Sequence, residues 1–485
     1  MLKESEILRF IKEDEMSSKK KKAKIGQKYY EAEHDILDFR MFYYNKDGEL
    51  VEDNIRSNSR ICHPFFTELV DQQVQYMLST KDRYIKSDNT ALQARLDDYF
   101  DDDFTAELSE CLTGAITKGF DYIHAYKTKG DKLAFECADS LGVIEVRAKD
   151  TDDGCQYIIY WYIDRIEKGQ KEIKRIKVAD DTQTWFYVQV DENTIELDET
   201  EEVNPRPHYV YKKGDSGEKY WKPLGFVPFF RLDNNKKQTS GLKPIKTLID
   251  DYDLMACGLS NNLKDFDTPI HVVKGFQGDN LDELQVNLKT KKVVGTDAEG
   301  GIEVHTVDVP YQARETKLNL DEKNIYRFGM GFNSAQLGDG NITNVVIKSR
   351  YALLDLKCNK LEIRLKQFLK KIIQVVLNEI NEADDTGYTL KDVYFDFTRE
   401  VITNAQDNAQ IELIDAQKQQ IEINILLSLA TVLGDELVVQ NICEVLDLEY
   451  EEIKDMIPKG EEDLDSVEDM VDEIVPDDLG GDVIE

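Results

Sequence analysis

Residues 344–380 read NVVIKSRYALLDLKCNKLEIRLKQFLKKIIQVVLNEI, a run without proline or glycine. Apolar side chains at Ile347, Tyr351, Leu354, Cys358, Leu361, Leu365, Phe368, Ile372 and Val375 recur at alternating steps of four and three. That is the period of one face of an α-helix. At about 1.5 Å per residue the helix would reach roughly 55 Å, well beyond the usual three or four turns. It reads as a strut, and heptad spacing by itself leaves its use open, from a core helix to a coiled-coil arm.

Upstream, residues 240–266 predict a second long helix, with Ile245, Ile249, Tyr252, Ala256, Leu259, Leu263 and Phe266 on one stripe and Pro244 in the first turn, where its missing N–H is harmless. A compact α/β insert over 268–310 follows, with strands at IHVVKG, VVGTD and IEVHTV and a short helix near 281–288. A third helix, 319–332, runs into FNSAQLGDGNIT, a polar, glycine-containing connector that leads to the strut. Beyond the strut the sequence predicts a strand in 389–398 and helices over 404–432, 435–446 and 449–456.

The amino-terminal half changes character near Gly119. Before it, helical text covers YYEAEHDI, residues 63–79 with Phe66, Val70, Gln73 and Met77 on one face, 90–102, and 104–118 with Leu108, Leu112 and Ile116. Residues 1–26 hold a short amphipathic turn or two and four lysines at 19–22, which read as solvated surface. Between 120 and 232 the chain turns to short runs such as YIIYWYI and TWFYVQV, separated by turn residues at 129–131, 153–154, 180–181 and 214–215. This predicts an antiparallel meander. Ile173, Ile176 and Val178 alternate with charged residues, so one face of it is expected to be wet.

The 485 residues carry a formal charge of −35. A chain so acidic is unsuited to gripping nucleic acid, whose binding rests on lysine and arginine neutralising phosphates. Seven scattered cysteines without a Cys-x-x-Cys pair fit a reducing compartment. The charged amino terminus lacks the apolar core of a signal peptide, and the most apolar later stretch, 423–433, is too short to span a bilayer. The last 25 residues contain twelve acids and no lysine or arginine, the composition of a self-repelling tail.

Catalytic signatures are missing. There is no phosphate-binding G-x-x-x-x-G-K-[ST] loop and no G-x-S-x-G elbow. His34-Asp35 has the form of a metal phosphohydrolase dipeptide, yet the other histidines stand singly, so no metal site and no cofactor is expected. The acidic run at 101–103 could hold a cation but reads more simply as surface. An assembly protein is the better reading; the alternative is a nucleic-acid-processing enzyme or another ring component of a virus-like particle.

FVPFFRLDNN (226–235), SGLKPIKTLIDDYD (240–253) and GLSNNLKDF (258–266) occur in an order that resembles the portal proteins of long-tailed bacteriophages. GDGNITNVVIKSRYALLDLKCNKLEIRLKQFLKKII (338–373) is similar to that family's loop and long helix, with Ala352, Leu353, Leu354, Lys357 and Glu362 in the matching spacing. YYEAEHDI, HPFFTELVDQQVQYML and VLGDELVVQNICEVLDLEYEEIKDMI also fit. Thr343-Asn344 departs from the Ser-Gly that often precedes the long helix.

The resemblance implies an α+β subunit of a ring, typically of twelve copies, at one capsid vertex of the virion, made in the host cytoplasm. It implies an arm (1–26), a β-rich wing (27–240), stem helices (241–266 and 319–332), a clip (267–318), a tunnel loop (333–343), a long wing helix (344–382), a helical crown (383–458) and the acidic tail (459–485). Implied partners are double-stranded DNA passing without sequence specificity, the terminase large subunit, the major capsid and scaffolding proteins and a head-completion adaptor, with no membrane. Asn333, Gln336, Asn341, Asn344 and Lys348 would then face the DNA, and Lys289, Lys291 and Lys292 would meet the motor. Net negative charge suits a conduit, because screened repulsion over a Debye length of about 8 Å leaves passing phosphates no deep well.

Overall fold

The computed structural model describes residues 2–54, 56–79, 83–128, 132–147, 155–167, 171–191, 193–201, 203–212, 219–266, 270–276, 296–305, 311–333, 344–399, 405–429 and 435–445. The expected turns at 129–131, 153–154 and 214–215, the helices at 281–288 and 449–456 and the acidic tail fall outside them. The chain divides into two compact units, Met1–Asp339 with Lys348–Val401, and Gly340–Ile347 with Ile402–Glu485.

In the first unit, α1 (Glu4–Glu15) and α2 (Ser18–Tyr30) precede a hairpin of β1 (Phe42–Tyr44) and β2 (Leu50–Glu52). Helix α3 (Phe65–Leu78), β3 (Ile85–Lys86), α4 (Thr90–Tyr99) and α5 (Asp102–Lys118) come next. Their ends are written in the sequence. The Asn89 side chain accepts from the amides of Ala91 and Leu92, and Asp101 caps α5 by accepting from Phe104 N at 3.0 Å. With Asp102 and Asp103 in the first turn, the acidic run therefore serves a helix terminus and its dipole. Gly119 closes α5 at φ 99°, a left-handed position where a Cβ would also collide with the Gln238 carbonyl.

The meander follows as expected. Strands β4 (Phe120–Lys127) and β5 (Leu133–Ala138) form a three-stranded sheet with a later strand. Strands β6 (Val143–Arg147), β7 (Cys155–Glu167), β8 (Lys171–Ala179), β9 (Gln183–Asp191) and β10 (Thr194–Leu197) pair in sequence order, antiparallel, with β11 (Arg206–Pro207) on β9. A small pair, β12 (Tyr209–Lys212) and β13 (Lys219–Lys222), precedes β14 (Phe229–Asp233), which completes the three-stranded sheet beside β4.

The wet face is a correction. Ile176 and Val178 are buried against Ile7 and Leu8 of α1 on one side of the large sheet. On the other side Ile158, Tyr160 and Ala179 pack on Phe120, Tyr122 and Phe229 of the smaller sheet. Lys177, between them in sequence, is enclosed by the rings of Tyr126, Tyr160 and Tyr162 and bonds Glu136 at 2.7 Å.

Within the lysine run, Lys20 is another correction. Lys20 is 3% exposed, with Nζ donating to the Val143 carbonyl at 2.7 Å and to that of Ser140, and pairing Asp14 at 3.0 Å. Lys19 lies 3.8 Å from the Phe120 ring centroid. Of the four, Lys20 alone is buried, while Lys19, Lys21 and Lys22 stay exposed.

The long helices are α6 (Lys246–Phe266), α7 (Tyr311–Gly329) and α8 (Asn344–Asp384), with β15 (Ile270–Phe276) and β16 (Thr296–His305) paired between α6 and α7. Strand β16 holds the end of the expected VVGTD and the start of IEVHTV in one run, residues 293–295 and 306–307 lying outside the described residues, and α7 begins eight residues before the expected 319. Strand β17 (Tyr394–Phe395) returns to pair with β3. Leu354, Cys358, Leu361, Leu365, Phe368, Ile372 and Val375 of the α8 stripe lie in the main core, at 2% exposure or less, with residues of α3 to α7. From Phe368 to Ile380 the neighbours Leu369, Ile373, Val376 and Leu377 are buried too, which widens the buried face there and leaves Lys370, Lys371 and Asn378 exposed.

The second unit contains α9 (Ala405–Ser428) and α10 (Asp435–Val445), joined where Gln419 Nε2 donates to the Val445 carbonyl. Among the described residues, no helix is long and apolar enough to cross a membrane.

Candidate channel connector and its anchorage

The connector between α7 and α8 leaves its first helix through a tight stop. Met330 stands at φ 55° and Gly331 N returns to the Tyr326 carbonyl at 3.0 Å, a left-handed helix end. Gly329 and Gly331 leave room for Leu69 of α3, whose methyls occupy the places their Cβ atoms would take.

Helix α3 then grips the departing strand. Gln72 Oε1 accepts from Phe332 N at 3.0 Å and Gln72 Nε2 donates to Phe332 O at 2.7 Å, the paired bonds of a sheet partner supplied by one side chain. Glu68 accepts from Gln72 at 3.0 Å and from the Tyr326 hydroxyl. Burial and the Glu68 carboxylate together push the Tyr326 phenol well above its usual range. Across the neck, Phe332 stacks on Tyr351 of α8, and Tyr351 meets Tyr76 of α3 at 5.5 Å.

Asn333 is half-buried, and its amide donates to Glu322 Oε1 at 2.7 Å, so in this structure it serves the connector's root. Gln336 and Asn341 fall outside the described residues, as do Lys289, Lys291 and Lys292. Asn344 opens α8 and Lys348 lies one turn along it, their side chains also outside. The sequence reading missed Gln72, Glu68, Leu69 and Tyr351 as anchors. Gln72 and Phe332 stand 260 residues apart, and no local period signals such a bond.

The motif SGLKPIKTLIDDYD has a structural use of its own. Asp253, wholly buried on α6, accepts from His63 N at 3.0 Å and contacts His63 Nδ1 at 2.7 Å and His34 Nδ1 at 2.6 Å. Burial raises its carboxyl, but these bonds outweigh it and hold the group below the usual carboxylate value. Asp250 pairs Lys246 at 2.8 Å and accepts from the Tyr29 hydroxyl. Tyr252 makes edge contacts with His63 and Phe65. The motif thus ties α6 to residues 29–65. Among the described residues no group of histidines, cysteines and acids is placed to hold a metal ion.

The family of phage portal proteins, SPP1 Gp6-like, matches residues 9–457, nearly the whole chain. The chain belongs to this family. Among its curated relatives, the portal protein of Bacillus phage SPP1 is 26% identical over 388 residues, 79% of this chain and 75% of the relative. The portal protein of Clostridium phage phiCD119 is 24% identical over 402 residues, 78% and 85% of the two chains. The portal family is structural rather than enzymatic, and its members are oligomeric ring components of the capsid that handle DNA. The clasped connector and the long helix are therefore features of a portal subunit.

Proposed function

We propose that this portal subunit assembles as a ring of about twelve copies at one capsid vertex, through which double-stranded DNA enters and leaves. The family match over residues 9–457 carries the reading. Within it, 27–240 with 344–382 would form the wing, 241–266 and 319–332 the stem, 267–318 the clip, 333–343 the tunnel loop and 383–458 the crown. The clip lysines Lys289, Lys291 and Lys292 would dock the terminase large subunit, and a head-completion adaptor would follow. Capsid and scaffolding proteins would surround the ring. The loop would present Gln336, Asn341 and Asn344 to DNA, with Lys348 as a phosphate contact and Asn333 bracing its root.

The charge of −35 supports the conduit, since a lumen lined by carboxylates offers phosphates no adhesive well. The clasp at Gln72 supports the loop assignment, because a loop that acts on a moving polymer needs a fixed root. Native mass spectrometry of the purified chain with its scaffold, followed by imaging, tests the assembly: rings with a central hole are expected, and persistent monomers would overturn it. Deleting residues 336–340 should abolish packaging with rings intact; normal packaging would refute the loop's role. Charge reversal at the three clip lysines should abolish motor binding.

A further inference from the structure

The outer face of α8 does not match the charge of the chain that carries it. At 100° per residue its exposed positions between 352 and 371 fall within an arc of about 120°. They include Leu353, Leu356 and Ile363, exposed by 43, 60 and 63%, together with Lys360, Lys370 and Lys371. No exposed residue in that span is acidic, in a chain of 96 acids and 61 lysines and arginines. The acids of the span, Asp355 and Glu362, lie off the arc and bond Arg399. The opposite face is locked in the core by Leu354, Cys358, Leu361 and Leu365, so the helix cannot roll its outer aliphatics inward.

A strip of branched aliphatics flanked by lysines suits one kind of surface. Phosphates would engage the lysines and leave three large apolar side chains in water, whereas a protein surface with an apolar centre and an acidic rim uses both. The chain's own surface is of that acidic kind.

We propose that this strip is a contact between neighbouring copies in the ring, with Leu353, Leu356 and Ile363 packed on the next copy and the three lysines meeting its carboxylates. The inference rests on the ring reading above. Ring contacts are heterologous, so strip and counterpart are different surfaces, and a basic strip on an acidic chain favours head-to-tail association over pairing of like faces.

The test uses the full-length chain and two variants, Leu356→Asp with Ile363→Asp, and Lys360→Glu with Lys370→Glu. Native mass spectrometry is expected to show wild-type rings. For both variants the concentration for half-assembly should rise at least tenfold, with circular dichroism and thermal transition unchanged. All four positions are exposed, and the lysine variant should recover assembly as salt screens the introduced repulsion. Wild-type rings with both variants assembling normally would overturn this inference alone. A wild-type chain that stays monomeric would overturn the ring reading as well. Intact variant rings that lose DNA retention, or lose binding to the shell protein, would give the strip to those partners and also overturn it.

Discussion

The rings of Phe332 and Tyr351 stack across the neck of the connector, their centroids 5.2 Å apart and their planes 22° from parallel. Phe332 is the third residue past Gly329, where α7 ends, and Tyr351 lies two turns into α8, so this contact joins the two flanks of the connector directly. Replacing either ring with alanine is expected to lower stability, and a double-mutant cycle should return a coupling of about 1 kcal/mol. Chemical denaturation of the four proteins measures it; additive effects would show that the rings do not interact.

Gln72 satisfies both backbone groups of Phe332. Gln72→Leu keeps the bulk and orphans an N–H and a C=O, at an expected loss of about 2 kcal/mol. Gln72→Glu keeps the acceptor for Phe332 N but turns a carboxylate oxygen toward the Phe332 carbonyl and the Glu68 carboxylate, and should lose more. A loss below about 0.5 kcal/mol for Gln72→Leu would sink the clasp as described.

Asp253→Asn should destabilise the fold by about 3 kcal/mol, because it removes the charge that His34 and His63 face in a buried site. The Asp253 carboxyl is held below its unfolded value, so its contribution is complete above about pH 4 and is lost as pH falls through the folded value. A denaturation series from pH 7 to pH 3 should show the variant losing less with acid than the parent.

Two other histidines titrate in the opposite chemical sense and the same pH direction. Burial pushes His124 and His208 down to about 4, so folded they stay neutral while the unfolded chain takes up protons from about pH 6.5 downward. Stability is therefore full above pH 6.5 and lost toward pH 4, by on the order of 3 kcal/mol for each. His208→Phe should flatten that slope, and an unchanged slope would remove His208 from the account.

Lys20→Met leaves two carbonyls and Asp14 without their cation and should cost about 3 kcal/mol, whereas Lys21→Met, on the exposed side of the same helix, should stay within about 0.5 kcal/mol. Thermal melts of the two variants distinguish a buried lysine from a solvated run.

The contrast between Lys20 and the α8 stripe shows what a sequence can tell. Leu354, Cys358, Leu361 and Leu365 announce their burial by period alone, because a helix must hide an apolar stripe. The cap at Asn89 and the stop at Gly119 are equally local, whereas Asp101, which caps α5, sits inside the helix that the period predicts over 90–102. A lysine in a run of four carries no such mark; its burial depends on two carbonyls 120 and 123 residues away. The same holds for Lys177, whose face looked solvated until a second sheet closed over it, and for Gln72, whose partner lies at the far end of another helix. Polar anchors are set by tertiary neighbours, and the motif around Asp253 was recognisable as text long before its bonding was.

Helix α8 is buried over most of its circumference from Phe368 to Ile380, where Lys370, Lys371 and Asn378 are its exposed positions, and along one face from Leu354 to Leu365. Mechanically it is a keel bonded along the core. A beam held along its length spreads a load as shear over every contact instead of gathering it at one hinge, so a pull along the helix axis from Tyr351 onward would be shared among Leu354, Cys358, Leu361 and Leu365 before it reached Phe368.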